Sequence, residues 1–187
     1  MIREGNISFE FSGDYIQYDE TNFYRKHIEK CKGIINYEDD SIPREEGTKA
    51  VDIIGLNKSP LYIIEIKDFR GYRIQNKERI KNNELASEFS LKIKDTIAGL
   101  YGAFRKHNEE LKVFHTYLFS NRNEPNPIKA ILLIEEDLPV NDVDAKKRIA
   151  LKKELRTKIE QQLGFLSLQS QIVSISEMNQ IQGWKVK

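Results

Sequence analysis

Several features that define whole classes of protein are scarce or missing in this chain. Of its 187 residues only Cys31 is a cysteine, which excludes an intrachain disulfide and a zinc cage built from cysteines. No apolar run approaches the ~20 residues that a membrane span needs. The first residues lack the apolar core of a signal peptide. We therefore expect a cytoplasmic protein with no membrane partner.

The chain also lacks a large net charge of either sign. The chain has 30 Lys and Arg against 29 Asp and Glu, so its net charge is +1. This balance excludes a uniformly basic nucleic-acid coat protein but allows local basic surfaces. With 39% hydrophobic and 32% charged residues, 5 prolines and 10 glycines, the composition is globular. Repeats and flexible linkers are absent, so we expect a single domain over residues 1–187.

The hydrophobic pattern predicts an alternation of strands and helices. Strands are predicted at 7–11, 15–18, 50–56, 61–69, 129–135, 172–175 and 184–187. Helices are predicted at 20–32 with Asp19 as cap and Gly33 at the end, at 83–106, around 111–118 and at 144–163. Tightly joined strands pair antiparallel, whereas strands joined through a helix run parallel. The predicted fold class is therefore α/β, with a mixed central β-sheet flanked by helices.

Two of the helices have apolar positions at helical spacing. In the longest helix these are Leu85, Phe89, Ile93, Ile97, Leu100 and Phe104, and in the later helix they are Ile149, Leu151, Leu155, Ile159 and Leu163. Steps of three and four place such residues on one side of a helix. We expect both sets to face the core.

Two acids and a lysine on neighbouring strands give the sharpest functional signal. Glu65 and Lys67 are two apart on one strand, so their side chains share a face. If the preceding turn is centred between residues 58 and 59, Leu56 pairs with Leu61, and Asp52 then lies opposite Glu65. Opposed residues in an antiparallel pair have Cβ atoms roughly 5 Å apart. The register thus predicts two carboxylates and an ammonium at one spot.

This arrangement is unfavourable unless it serves a purpose. Two carboxylates ~5 Å apart repel by about 3 kcal/mol at an effective dielectric near 20, and Lys67 offsets only part of that. A divalent cation would remove the conflict, and Mg²⁺ is suited to a few protein oxygens completed by water and a phosphate oxygen. Such a site supports phosphodiester hydrolysis, in which Lys67 orients water or stabilises charge at phosphorus. The alternative is an ion-pair cluster on the surface of a sheet.

Asp52, a strand-turn-strand interval and then Glu65-Ile66-Lys67 resemble the motif of the PD-(D/E)XK nuclease superfamily. The resemblance covers a core of about residues 20–135 and implies a restriction-endonuclease-like fold. One departure is that Ala50 and Val51 precede Asp52, with no proline.

By this resemblance, Asp52, Glu65 and the backbone carbonyl of Ile66 would bind Mg²⁺ or Mn²⁺, and Lys67 would be the catalytic lysine. Members often add an acid from the helix before the core. Here that acid would be Glu20, with Glu29 as the competing choice.

The implied function is a metal-dependent nuclease that hydrolyses phosphodiester bonds of nucleic acid, for which we expect DNA. Cations near the motif are candidates for contact with the phosphate backbone, namely Arg70, Arg73, Lys92 and Lys94. Many such folds pair two subunits, so a homodimer is one option. The alternatives are a catalytically inactive nuclease-like subunit that binds nucleic acid within a larger assembly, and a purely structural or protein-interaction domain.

Overall fold

The computed structural model describes residues 1–29, 31–35, 44–71, 79–80, 82–120 and 126–187. Its strands are β1 (Ile2–Glu4), β2 (Ile7–Phe11), β3 (Asp14–Gln17), β4 (Lys32–Ile35), β5 (Arg44–Gly47), β6 (Ile53–Leu56), β7 (Leu61–Asp68), β8 (Ile128–Glu135), β9 (Gln169–Val173) and β10 (Trp184–Val186). Its helices are α1 (Asn22–His27), α2 (Glu84–Arg105), α3 (Lys112–Phe119), α4 (Asp142–Leu163) and α5 (Ile175–Met178), with a 3₁₀ turn at Gly164–Leu166.

The main sheet is mixed, as predicted, with the order β3-β6-β7-β8-β9 among the described strands. The pairs β3/β6 and β6/β7 are antiparallel, whereas β7/β8 and β8/β9 are parallel. Helices α2 and α3 connect β7 to β8, and α4 connects β8 to β9, as parallel neighbours require. A smaller sheet has the order β1-β2-β10, and β4 pairs with β5. The chain is therefore a mixed α/β protein whose sheets are flanked by helices.

The two faces of β7 pack against different layers. Leu61 and Ile63 belong to the core cluster that contains the apolar residues of α2 and α4. Tyr62 and Ile64 belong to a second cluster, with Trp184 of the small sheet. Alternate residues of a strand point to opposite faces, so the next odd-numbered positions, 65 and 67, lie on the α2 side.

Helix α2 agrees with its predicted apolar stripe. Leu85, Phe89, Ile93 and Leu100 are buried against the main sheet. Gly99 allows the closest approach, because an added Cβ there would lie 2.2 Å from the hydroxyl oxygen of Tyr18. In α4 the prediction was partly wrong: Leu155, Ile159 and Leu163 are buried, but Ile149 is 69% exposed. The three buried residues all lie in the second half of α4, whereas Ile149 lies in the first half, where the helix has no buried residue.

The first helix is shorter than predicted. It spans Asn22–His27, and Thr21 rather than Asp19 is its cap, since Thr21 accepts a hydrogen bond from the amide of Tyr24. A distant carboxylate, Glu110, accepts hydrogen bonds from the amides of residues 22 and 23. Residues 32–35 pair with β5 instead of continuing the helix, so Gly33 lies in a strand. Pairing between segments has overridden local helix propensity here.

None of the helices in the described part of the chain has both the length and the apolar composition that crossing a membrane would demand.

Candidate active site

The hairpin register places Asp52 opposite Glu65. Leu56 pairs with Leu61 and Ile53 pairs with Ile64, which confirms the register predicted from the turn. Asp52 is the residue directly before β6, and one further step of the same register brings it across from Glu65. Both side chains therefore lie on the face of the sheet that α2 covers.

Asp52 is held where the β6 ladder ends. The amide of the preceding residue, Val51, donates to the hydroxyl of Thr96 on α2 at 3.2 Å, so the backbone has left the sheet. Oδ2 of Asp52 accepts a hydrogen bond of 2.6 Å from the amide of Ile66 in place of a strand carbonyl. The N–H and C=O of one strand residue face the same neighbouring strand, so the carbonyl of Ile66 also faces the Asp52 side of β7.

The charged form of Asp52 is unfavourable in this position. Its side chain is buried, with 8% of the residue exposed. Burial, and then the negative charge of Glu65, raise the pKa of Asp52 to about 8, although Lys92 and the amide of Ile66 act in the opposite direction. Asp52 therefore holds its proton at neutral pH unless a further cation stabilises the carboxylate.

Glu65 is the most deeply buried acid of the cluster, with 1% of the residue exposed. Its Oε1 accepts from two ammonium groups, Lys92 at 2.6 Å and Lys67 at 2.9 Å. Its Oε2 is buried and has no hydrogen-bond partner among the described residues. A buried carboxylate oxygen without a partner is rare because desolvation is not compensated. This oxygen is thus a position that a cation or a bound water would stabilise.

Lys67 lies between two carboxylates. Its Nζ is 2.9 Å from Oε1 of Glu65 and 2.7 Å from Oε1 of Glu88. Burial opposes the charge of Lys67, but the two acids outweigh burial and raise its pKa above the usual value. The other oxygen of Glu88 accepts from Arg79 at 2.5 Å. Burial likewise opposes the charge of Glu88, but Lys67 and Arg79 outweigh it and lower the pKa of Glu88. Lys67 is therefore an ammonium at neutral pH, aligned by Glu88.

Helix α2 supplies a polar row beside its apolar stripe. Glu88, Lys92 and Thr96 are four residues apart, and each contacts the hairpin at a different level. Glu88 was not predicted from the sequence, and Lys92 was predicted only as a contact for nucleic acid. The available signal was this step of four running next to buried positions.

Glu20 lies beside the cluster, in a cleft that Asp19 and Lys92 also line. Glu20 is half exposed and pairs with Arg25. The neighbouring Asp19 has a buried oxygen, Oδ1, without a hydrogen-bond partner in the described ranges. Burial, then the charges of Glu4 and Glu20, raise the pKa of Asp19 to about 6, and the attraction of Lys92 opposes them. The competing choice, Glu29, is exposed.

Three of the four cations predicted to contact nucleic acid are described by the structure, and these three do not form one surface. Arg70 is paired with Asp68, with Nε 2.8 Å from Oδ1. Lys92 is directed inward to the cluster, whereas Lys94 lies over the ring of Phe165, 5.7 Å from its centroid. Arg73 lies outside the described residues. Of the three described cations, Arg70 alone is exposed at the end of the strand that carries Lys67.

The donor set fits a divalent ion that takes few protein ligands. No group of three or more His, Cys, Asp or Glu side chains suited to a metal occurs within the described ranges. Asp52 and Glu65 supply two carboxylates, and the carbonyl of Ile66 faces the same edge. The unpartnered oxygen of Glu65 and the raised pKa of Asp52 are both features that a cation would relieve. Mg²⁺ commonly has one or two carboxylates and completes its shell with water and phosphate.

Comparison with known proteins gives a partial relationship. No family model matches the chain, and no solved structure matches it. A cysteine–tRNA ligase of Neisseria meningitidis serogroup A is 34% identical over 154 residues, which is 72% of this chain and 21% of the ligase. The chain thus spans about a fifth of the length of the curated relative that it matches.

Proposed function

We propose that the protein is a metal-dependent nuclease with a restriction-endonuclease-like fold, which hydrolyses phosphodiester bonds of nucleic acid, with DNA as the expected substrate. The observation that carries the proposal is the pair of buried carboxylates opposed across β6 and β7. One of them, Glu65, keeps an oxygen without a partner in the described part of the chain, and the other, Asp52, has a pKa raised to about 8.

The topology around the pair supports this proposal. Helix α1 precedes the β6–β7 hairpin, and α2 follows it and leads to β8, which is parallel to β7. This is the order of elements that the resemblance implied. The sequence relationship to a tRNA ligase covers about a fifth of that enzyme, so its ligase activity is not proposed here. Because the ligase is named for tRNA, we include tRNA with DNA among the substrates to test.

Asp52, Glu65 and the carbonyl of Ile66 would hold the ion. When bound, Mg²⁺ or Mn²⁺ would polarise a phosphoryl oxygen and lower the pKa of a bound water. Lys67 is charged, so it acts as a donor that orients the water or stabilises negative charge at phosphorus, rather than as a general base. The buried position of the acids strengthens these electrostatic effects, because little water screens them.

A structural ion-pair cluster explains these features less well. In a network that stabilises the fold, every buried polar atom has a hydrogen-bond partner. Without such partners, the attraction within a buried ion pair rarely exceeds the cost of desolvating its charges. Glu65 already has two ammonium partners, yet no described residue bonds to its second oxygen. Asp52 adds a second buried acid beside it. This arrangement lowers stability and is typical of a functional site.

The second candidate is an inactive nuclease-like subunit that binds nucleic acid. It is favoured by the small number of carboxylates that the described residues bring to the hairpin. Its ammonium groups, Lys67 and Lys92, already neutralise Glu65. This candidate predicts salt-sensitive binding of nucleic acid without cleavage. A cytoplasmic location and a homodimer remain predictions under either candidate.

A cleavage assay tests the proposal. Plasmid DNA, single-stranded DNA and tRNA are incubated with the protein and Mg²⁺ or Mn²⁺, with EDTA as the metal-free control. We expect cleavage by the wild type and a loss of at least about 100-fold in Asp52→Asn and Lys67→Met. Lys185→Met, on the small sheet at the other face of β7, is expected to retain activity. Equal cleavage by wild type, Asp52→Asn and Lys67→Met would contradict the assignment.

A further inference from the structure

Lys92 places a positive charge beside the proposed metal-binding site. Its Nζ is 2.6 Å from Oε1 of Glu65, closer than Lys67 at 2.9 Å, and 18% of its side chain is exposed. The ammonium is thus an internal cation placed against the carboxylate that the proposed metal needs. A divalent ion bound at Oε2 of the same carboxylate would repel this ammonium, so each cation would weaken the interaction of the other with Glu65.

A second acceptor for Lys92 lies nearby. Asp19 has a buried oxygen, Oδ1, to which none of the residues that the structure describes donates a hydrogen bond. The positive charge of Lys92 is attractive to Asp19 and lowers its pKa against the stronger effect of burial. Both residues line the same open cleft, together with Glu20, Tyr24 and Thr48.

The lysine side chain is suited to such a change of partner. It has a flexible four-carbon stem with three donors at its end, so it can exchange one acceptor for another without a backbone movement. The cleft beside Asp19 leaves space on that side. Lys94, two residues further on α2, has no comparable position because it lies over the ring of Phe165.

We propose that Lys92 is a stand-in cation that stabilises Glu65 in the metal-free protein and moves to Asp19 when a divalent ion binds. The proposal rests on the proposed metal site at Asp52 and Glu65. In this role Lys92 opposes metal binding, whereas a ligand or a catalytic cation would support binding or catalysis. Lys92 weakens metal binding while it keeps the metal-free protein folded.

Calorimetric titration with Mn²⁺ alone, at one fixed pH, tests this role. Lys92→Met removes the competing charge and is expected to bind Mn²⁺ about tenfold more tightly than wild type, since the ion no longer displaces an ion pair. Lys92→Arg keeps the charge and is expected to bind no more tightly than wild type. Lys94→Met, the matched change on the same helix, is expected to leave the affinity unchanged. Asp19→Asn removes the negative charge of the second acceptor and is expected to weaken binding severalfold.

Lys92→Gln serves as a second variant if Lys92→Met folds poorly, because its amide still donates to Glu65 but carries no charge. For each folded variant, the rise in Tm on adding Mn²⁺ is measured as well, and it should be larger in Lys92→Met and Lys92→Gln than in wild type. Unchanged or weaker Mn²⁺ binding in both variants would overturn the role of Lys92, as would no binding in any variant. Tighter binding without any nucleic-acid cleavage would leave this role intact and count against the nuclease proposal instead.

Discussion

The amide of Ile66 donates a hydrogen bond of 2.6 Å to Oδ2 of Asp52, so an acidic side chain takes the place of a strand carbonyl at the end of β6. This bond fixes the carboxylate beside Glu65, but it does not make the charged form favourable, because burial and Glu65 raise the pKa of Asp52 to about 8. Asp52 therefore combines a defined position with a charge that destabilises the fold. Two predictions follow from this residue, one for stability and one for metal binding.

Asp52→Asn should stabilise the metal-free protein. An Asp whose pKa is about 4 when unfolded and about 8 when folded contributes stability below pH 4, and this contribution is lost as pH rises to 8. Asparagine retains an oxygen that accepts from Ile66 but does not titrate. The variant should thus gain on the order of a few kcal/mol relative to wild type by pH 8, with little difference at pH 4. Urea denaturation across this pH range measures it, and a constant difference would contradict the titration of Asp52.

The affinity for Mn²⁺ should rise with pH up to about 8. Below that pH the ion has to displace the proton of Asp52, so each unit of pH should add up to about tenfold in affinity, with a plateau above. Calorimetry at several pH values, in buffers of different ionisation enthalpy, gives both the slope and the number of protons released. In Asp52→Asn the slope due to this group should vanish along with most of the binding. A flat profile in wild type would show that Asp52 is not a ligand.

Glu88→Gln should reduce kcat of cleavage about tenfold with little change in KM, because Glu88 aligns Lys67 and does not reach the substrate. Glu84→Gln is the matched control. Glu84 binds the same arginine, Arg79, at 2.7 Å, but it is exposed and has no contact with Lys67 among the described interactions. Steady-state kinetics of both variants separates alignment of Lys67 from the general charge of α2. Equal losses in the two variants would refute the alignment role.

Two glycines of α2 should respond in opposite directions to alanine. In Gly99→Ala the new Cβ would lie 2.2 Å from the hydroxyl oxygen of Tyr18 and 2.6 Å from Cδ1 of Ile28, both of which belong to buried residues. Such overpacking is expected to destabilise the fold by about 1–3 kcal/mol. In Gly102→Ala the nearest atom, on Phe23, is 3.9 Å away, so higher helix propensity should stabilise by up to about 1 kcal/mol. Thermal unfolding of the two variants gives the comparison, and a stabilised Gly99→Ala would show that α2 is not held against Tyr18.

The hairpin core of the candidate site could be predicted because it is local. The residues of β6 and β7 are joined by a short turn, so one register follows from its centre, and the pairing of Leu56 with Leu61 agrees with it. The alternation of side chains then decides that Glu65 and Lys67 share a face. The long helix α2 was also predicted within one residue at each end, since its apolar stripe is continuous.

The partners of these side chains could not be predicted. Lys92 and Glu88 meet Glu65 and Lys67 only because α2 crosses the sheet at one particular rotation and height. The choice between Asp19 and Glu20 likewise depends on how the end of β3 leads into α1, where Thr21 is the cap. The sequence alone does not distinguish two adjacent acids, because their difference in burial arises only from tertiary packing.

The strands of the main sheet, the antiparallel hairpin and the shared face of Asp52, Glu65 and Lys67 could be predicted from the sequence, because all of these follow from local periodicity and a short turn. Tertiary structure alone decided that β10 joins β2, that Glu110 caps α1 and that Lys92 neutralises Glu65. Those contacts join residues far apart along the chain. Whether such residues meet depends on how whole layers of helices and strands bury and desolvate their side chains, and a local sequence pattern does not contain that information.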